Sequence, residues 1–247
     1  MKTVLKKSIK KVLFTIEWYR AAMGNKVTCP ICEHTFDHLH TFNARPNALC
    51  FHCRSLERDR SLYLYLKSKT DFFSKPVKVL HFAPEISLYP LFRGIPSIDY
   101  STADLMVTLN SYLQVNPDYI MSVTDIKFGD NVFDYIICNH VLDDVDDDHK
   151  ALTEFYRVLK PGGTAIVSVP LNTIGKTVEF DDTPEKIGLK KKMNISPENQ
   201  RSYGIDFYER VEEKGFMVTA VSAEDLIPDL KKFAVRKEDL IYICLKK

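Results

Sequence analysis

Residues Asn131 to Pro170, NVFDYIICNHVLDDVDDDHKALTEFYRVLKPGGTAIVSVP, limit the available folds more than any other stretch. Phe133 to Cys138 is a short apolar run with aromatic and β-branched residues, the composition of a buried parallel strand. From Asp146 to Leu159 the apolar positions Ala151, Leu152, Phe155, Val158 and Leu159 share one helical face, with acids at the start and Lys160 just past the end. Pro161, Gly162 and Gly163 are expected to stop this helix and turn the chain. Thr164 to Val169 then reads as a second buried strand. Strand, helix and strand in that order predict a βαβ unit, the building block of an open parallel sheet.

The same residues carry a family resemblance. A strand ending in Asn139-His140-Val141-Leu142, an acidic turn, a helix closing on Arg157-Val-Leu-Lys-Pro-Gly-Gly163 and a strand ending at Pro170 resemble the second half of class I, type 11-like S-adenosylmethionine-dependent methyltransferases. The resemblance runs roughly from Val77 to Lys247. It implies an α/β, Rossmann-like sheet of seven strands, mostly parallel with an antiparallel edge hairpin. It also implies S-adenosylmethionine as cofactor, lying across the carboxyl ends of the first, second and fourth strands.

Ahead of that region stand Cys29-Pro-Ile-Cys32 and Cys50-Phe-His-Cys53, separated by seventeen residues. Each pair presents two thiolates from one tight turn, and four thiolates complete a tetrahedral shell. Cys29, Cys32, Cys50 and Cys53 are therefore expected to hold a structural zinc. His34, His38, His40 and His52 lie nearby and read as surface or packing residues, because the cysteines suffice. The chain then divides into a basic amphipathic helix (1–24), a zinc knuckle with its docking helix (25–70) and a methyltransferase domain (71–247).

The net charge of +1 conceals an asymmetry: residues 1–60 hold eleven Lys/Arg against five Asp/Glu, +6, which leaves −5 for the remainder. Within residues 2–20, Val4, Leu5, Ile9, Val12, Leu13 and Ile16 share one face and five lysines the other. Packing against the protein is the favoured reading of this helix, and peripheral membrane contact is the alternative. No apolar run is long enough to span a bilayer and no cleavage signal is seen, so a cytoplasmic location is expected.

Arg54 to Lys67 reads as a helix that docks the knuckle on the next domain. Arg54, Arg58 and Arg60 are weighed as groove-lining residues, with a solvated helix face preferred. Val77 to Phe82 looks like the first strand, and His81, Ala83, Pro84 and Glu85 occupy its cofactor loop. Most class I methyltransferases have glycines there, because the backbone approaches the cofactor closely. A His-x-Ala-Pro-Glu loop preceded by a zinc knuckle is similar to one methyltransferase subfamily. Ala83 is small enough to allow the approach, and Glu85 is placed to meet the cofactor's methionine amino group.

Asp104, followed by Leu105, ends the predicted second strand (Ile98 to Leu105) and is expected to hold both ribose hydroxyls. Tyr119 to Asp125 is the predicted third strand, and Asp125 with Ile126 resembles the pair that holds and covers the adenine. Asn139 and His140 close the fourth strand, with His140 the candidate general base. The acids from Asp143 to Asp148 lack calcium-loop spacing and read as helix caps. Leu171 to Arg201 is a candidate lid or substrate loop, with Glu179, Arg201 and Tyr203 on the substrate side. The resembled subfamily has a histidine before that arginine, where this chain has Asn199 and Gln200. Phe216 to Val221 and Leu240 to Leu245 are expected to form the antiparallel edge pair. Cys138 and Cys244 read as buried packing residues.

These expectations combine into an S-adenosylmethionine-dependent methyltransferase acting on an oxygen or nitrogen of a small molecule or a sugar- or glycan-type substrate. Two other readings are carried. One is an RNA methyltransferase that grips nucleic acid through the knuckle and basic front. The other is a non-catalytic zinc-containing scaffold with a degenerate fold.

Overall fold

The computed structural model describes residues 14–105, 115–172, 175–180, 183–192, 196 and 199–247. Residues 14–21 are helical (α1); the rest of the expected basic helix, residues 2–13, lies outside the described residues. Two small hairpins follow, β1 (Val27–Thr28) with β2 (Thr35–Phe36) and β3 (His40–Phe42) with β4 (Arg45–Leu49). Next come α2 (Glu57–Lys69), β5 (Val77–Phe82), α3 (Tyr89–Arg93), β6 (Ile98–Asp104), β7 (Tyr119–Ile120), β8 (Phe133–Asn139), α4 (Asp148–Val158) and β9 (Leu159–Ser168). The chain closes with β10 (Val178–Glu179), α5 (Pro184–Lys192), β11 (Arg201–Ser202), α6 (Phe207–Glu212), β12 (Phe216–Val221), α7 (Leu230–Phe233) and β13 (Ile241–Lys246).

Seven strands form one sheet in the order β12-β13-β9-β8-β5-β6-β7. Every neighbouring pair from β9 to β7 is parallel, and β13 alone is reversed, running antiparallel to both β12 and β9. The Rossmann-like, mostly parallel sheet is thus present with its antiparallel pair. The chain leaves β5 toward β6 on one side and returns to β8 on the other. This reversal of strand order is where ligands collect in open α/β sheets.

Alternation along the strands supplies both cores. Leu80, Phe82, Ile136, Cys138, Ala165 and Val167 pack with Leu152 and Phe155 of α4 and Phe207 of α6. Val79, Ile98, Tyr100, Ile137 and Ile166 pack instead with Leu62, Tyr63 and Leu66 of α2 and with Phe92 of α3. The helix after the second cysteine pair is therefore not a solvated face. Glu57, Asp59 and Arg60 are all buried in its first turn.

Two local expectations are corrected. The Pro-Gly-Gly turn does not separate helix from strand: α4 ends at Val158 and β9 starts at Leu159. The register jumps from Phe133↔Leu159 to Tyr135↔Thr164, so Pro161 to Gly163 form a bulge inside the β8–β9 ladder. Gly162 sits at φ +77, and a Cβ on Gly163 would stand 2.9 Å from the Lys160 carbonyl oxygen and 3.1 Å from that of Phe133. The third sheet strand is also shorter than expected. Only Tyr119 and Ile120 pair, and the chain then turns where the Asp125 N–H donates to the Ser122 carbonyl at 3.2 Å.

Arg60 fastens the modules together. Completely buried, its guanidinium donates to the carbonyls of Asn47, Ala48 and Ser55 in the knuckle region and of Phe233 and Ala234 at the end of α7. No helix among the described residues is long and apolar enough to cross a membrane.

A candidate cofactor cleft walled by the cysteine knuckle

The Sγ atoms of Cys29, Cys32, Cys50 and Cys53 lie within 4.8 Å of one another, with 3.5 Å between Cys29 and Cys53 and 3.7 Å between Cys32 and Cys50. None forms a disulfide. Tetrahedral zinc with bonds of about 2.3 Å places sulfurs ~3.8 Å apart, so the donor set fits that ion. Each pair ends in the same turn: Glu33 and Arg54, the residues after Cys32 and Cys53, sit at φ +61 and +64 and donate back to the carbonyls of Cys29 and Cys50. Hydrogen bonds from Cys29, Cys50 and Cys53 hold the Cys32 thiol below its ordinary range, while contact with Cys29, Cys32 and Cys50 pushes Cys53 up. Four thiolates in so small a space need a cation between them. The rings of His34 and His52 stack at 3.7 Å beside the cluster, and His34 and Cys32 also lie in ligating reach of His52.

The knuckle does not stand apart from the sheet. A cleft of ≈ 460 Å³ opens at the carboxyl ends of β5 and β6. Ala83, Pro84, Glu85 and Asp104 form its sheet side. Phe42 and Leu49 of the second hairpin and Arg54, Leu56, Arg58 and Asp59 around the start of α2 form the other. The volume is in the range of small-molecule and cofactor sites.

Beneath the cleft runs a buried polar chain. Burial pushes Tyr100 far up, so its hydroxyl keeps its proton and pairs with His81 Nδ1 at 2.8 Å. His81 Nε2 stands 2.8 Å from Glu85 Oε2. Glu85 Oε1 accepts from Asn139 Nδ2 at 2.8 Å, and Asn139 Oδ1 accepts from Ser168 Oγ at 2.8 Å. Burial opposes charge on Glu85, but the charge and hydrogen bond of His81, with Arg58 and Asn139 behind them, hold its carboxyl down at about 2. The result is a fixed anion on the floor of the cleft. Asp59, nearby, moves the other way, up to about 6, because burial and the Glu85 charge both disfavour its ionised form.

Where most related loops have glycine, Ala83 adopts φ +46, and His140 takes φ +52 at the end of the neighbouring strand β8. The Ala83 N–H is anchored on the Ala103 carbonyl (2.9 Å) and the His140 N–H on that of Ser168 (2.8 Å). Two non-glycine residues in the left-handed region, side by side at strand ends, mark a place where strain is tolerated for function.

A second cavity, ≈ 200 Å³, lies beyond Arg58, which lines both. His140, Ser168 and Pro170 close its sheet side, while Arg45, Ser61, Arg236 and Asp239 come from β4, α2 and the segment before β13. Burial, then the charges of Arg58 and Arg45, pushes His140 down to about 3, so its ring is neutral near pH 7.

The remaining site candidates lie elsewhere. Leu105 is exposed. Asp125 is exposed and ion-paired with Lys127, and Ile126 is buried in the core with its N–H donated to Glu154. Neither of that pair lines the cleft. Glu179, Arg201 and Tyr203 do converge, but their polar atoms are taken up by the chain. Arg201 donates to Glu179 and to the carbonyls of Leu142, Val145 and Asp146, and the Tyr203 hydroxyl reaches Asp148 at 2.7 Å. This trio ties β10 and β11 to the β8–α4 connection. Asp148 is correspondingly buried, while Asp147 is the acid that caps α4 through the Lys150 N–H. What the sequence reading underweighted is the knuckle's contribution. Arg54 lies in the turn after Cys53 and Arg58 in the first turn of α2, and both border the cleft.

Residues 92–167, which span β6 to β9 of the sheet, match the family model described as a methyltransferase domain, Methyltransf_11. That match covers less than a third of the chain. A stretch of 57 residues is 40% identical to the ubiquinone/menaquinone biosynthesis C-methyltransferase UbiE of Haemophilus ducreyi, covering 23% of this chain. The chain matches about a fifth (20%) of that relative's length. Among solved structures, the Burkholderia thailandensis 1,6-didemethyltoxoflavin-N1-methyltransferase with S-adenosylhomocysteine superposes with a TM-score of 0.48 at 14% identity, covering 76% of each chain. A Haloferax volcanii complex containing the Trm112 methyltransferase activator gives a TM-score of 0.48 at 15% identity, covering 75% of this chain and 88% of that one. In this chain the ends of β5 and β6 bear the cleft, and the second hairpin of the knuckle region supplies part of its outer wall.

Proposed function

We propose that this chain transfers a methyl group from S-adenosylmethionine to an oxygen or nitrogen of a small molecule, sugar- or glycan-type acceptors included. The observation that carries this reading is the cleft at the carboxyl ends of β5 and β6, which combines Asp104, a fixed Glu85 anion and Arg54 and Arg58. Asp104 accepts from the ribose hydroxyls. Glu85 would face the methionine ammonium, and Arg54 would take the carboxylate. Ala83 lets the backbone approach, at the cost of its left-handed conformation.

The cofactor brings an electrophilic methyl on a sulfonium, so the protein's task is alignment and exclusion of water. The knuckle hairpin supplies the exclusion, with Phe42 and Leu49 against the cleft. His140, neutral and lodged at the end of β8, orients the acceptor rather than stripping a proton from it. Zinc held by Cys29, Cys32, Cys50 and Cys53 is structural, because four thiolates leave no open position.

Calorimetric titration with S-adenosylhomocysteine tests the cofactor site. Micromolar binding is expected, with at least a hundredfold loss in Asp104→Ala; unchanged affinity in that variant refutes the assignment. Metal analysis of protein purified without chelator is expected to return about one zinc per chain, and its absence from folded protein refutes the metal site.

A further inference from the structure

We propose that the second cavity is the acceptor pocket, and that it takes a small acceptor whose phosphate or carboxylate is held by Arg45 and Arg58. This rests on the methyl-transfer reading above and names its substrate class.

The argument starts from unsatisfied donors. Arg60, Arg93, Arg157, Arg201 and Arg210 each donate guanidinium hydrogen bonds to carbonyls or carboxylates. Arg45, Arg54 and Arg58 differ: the Nε of each is buried with no hydrogen-bond partner. Each borders at least one of the two adjoining cavities. A buried donor left unpaired costs about 1–3 kcal/mol, so three in one place call for an acceptor that arrives from outside.

The acids beside these arginines do not fill that need. Arg45 Nε is 3.4 Å from Glu57 Oε1 and Arg58 Nε 3.7 Å from Asp59 Oδ1, and both carboxylate oxygens are themselves unpartnered. The other oxygen of Asp59 already accepts from the Leu56 N–H and the Ser87 hydroxyl, both at 2.9 Å. Across the cavity Arg236 is balanced by Glu238 at 3.5 Å and Asp239 at 4.0 Å. Arg45 and Arg58 thus each sit beside one acid, as Arg236 does, but the buried Nε of each donates no hydrogen bond to it. A planar fork suits a phosphate or carboxylate, which accepts two parallel bonds.

Geometry divides the work between the cavities. Arg54 borders only the cofactor cleft, Arg45 only the second cavity, and Arg58 stands between them. A cofactor carboxylate on Arg54 leaves Arg45 for the acceptor. With ≈ 200 Å³ the second cavity is somewhat larger than one that holds benzene, about 150 Å³, so only a compact reacting end enters. The neutral His140 ring at its inner wall adds no competing cation.

The test uses the full chain, zinc-loaded, with inorganic phosphate and acetate as probes against chloride at fixed ionic strength. Saturable stabilisation is expected for at least one probe, read as a shift in unfolding temperature and by calorimetry. Tighter phosphate marks a phosphorylated acceptor, and tighter acetate a carboxylic one. Arg45→Gln should weaken the anion at least tenfold while S-adenosylhomocysteine affinity stays within about twofold. Arg54→Gln should do the reverse. If loss of Arg45 beside the buried Glu57 prevents folding, Arg45→Lys retains the charge without the fork and should still weaken the anion about fivefold. No saturable anion binding, or binding indifferent to Arg45, in protein that binds S-adenosylhomocysteine overturns the acceptor pocket alone. Anion binding through Arg45 in protein that never binds S-adenosylhomocysteine overturns the methyl-transfer reading and leaves only an anion site.

Discussion

Arg60→Met should cost the protein about 3–5 kcal/mol, although Arg60 touches neither cavity's lining. Its guanidinium reaches the carbonyls of Asn47, Ala48, Ser55, Phe233 and Ala234, which belong to three separate parts of the chain. The Ser55 carbonyl keeps a second donor, the Cys50 N–H at 2.9 Å. The other four lose a charge-assisted donor, Ala48 and Ala234 in buried positions and Asn47 and Phe233 in partly buried ones. At about 1 kcal/mol or more per lost bond they account for ~4 kcal/mol or more. Methionine fills similar space and spares the buried-charge penalty, which caps the loss near the figure for a broken buried ionic network, about 3–5 kcal/mol. Urea unfolding at constant free zinc would measure it, with Arg60→Lys as the companion: lysine keeps the charge but not the planar fork and should recover less than half. A loss under about 1 kcal/mol in Arg60→Met would show that these carbonyls rebond at little cost, and the fastening role would be wrong.

Gly163→Ala should destabilise by roughly 2–3 kcal/mol, because a Cβ there meets backbone oxygens of Lys160, Phe133 and Asp134 that cannot yield separately; thermal unfolding reads this, and neutrality would mean the β8–β9 bulge relaxes freely. His140 binds its proton more weakly folded, at about 3, than unfolded, so stability falls as pH drops below about 6.5 and the unfolded imidazole takes up a proton. Between pH 7 and 5.5 that contribution is about 1 kcal/mol, and His140→Asn, which tolerates the left-handed backbone, should remove it; an unchanged pH slope in the variant would contradict the burial of the ring.

The sheet was readable because its signals are local. Phe216 to Val221 was expected as a strand and is one, and the alternation of Val79 and Leu80 or Ile136 and Ile137 between two cores shows why such runs carry no polar face. The four-cysteine cluster was equally readable, since each pair makes its own turn before any tertiary contact forms. Three things were not. Pro-Gly-Gly after a helix signals a break, yet whether the break is a turn or a bulge depends on what β8 places opposite it. Arg201 and Tyr203 carry the chemistry of a binding site, and only the carbonyls of the β8–α4 connection reveal that they are already occupied. Arg58 and Arg60 lie in the first turn of α2 and Arg54 in the turn before it, and they have different fates, because α2 is buried on nearly all sides and a helical wheel alone cannot say which neighbour each residue meets.

That last case bears on how the cleft works. Its walls come from the second hairpin and the start of α2 and from the ends of β5 and β6, so no single piece contains a binding site. A cofactor that binds only the assembled cleft stabilises the docking of the knuckle by RT ln(1 + [L]/Kd), about 2.7 kcal/mol at a hundredfold excess over Kd. By the same linkage, a metal that folds the knuckle raises affinity for the cofactor by the identical factor. The four cysteines never touch the cleft, yet they are coupled to it through Arg54, the residue that follows Cys53, and through the carbonyls of Asn47, Ala48 and Ser55 that Arg60 gathers. The missing glycine loop fits the same picture. A strained Ala83 holds its position only where surrounding structure fixes it, and here its N–H is anchored on Ala103 while the docked knuckle covers it from outside.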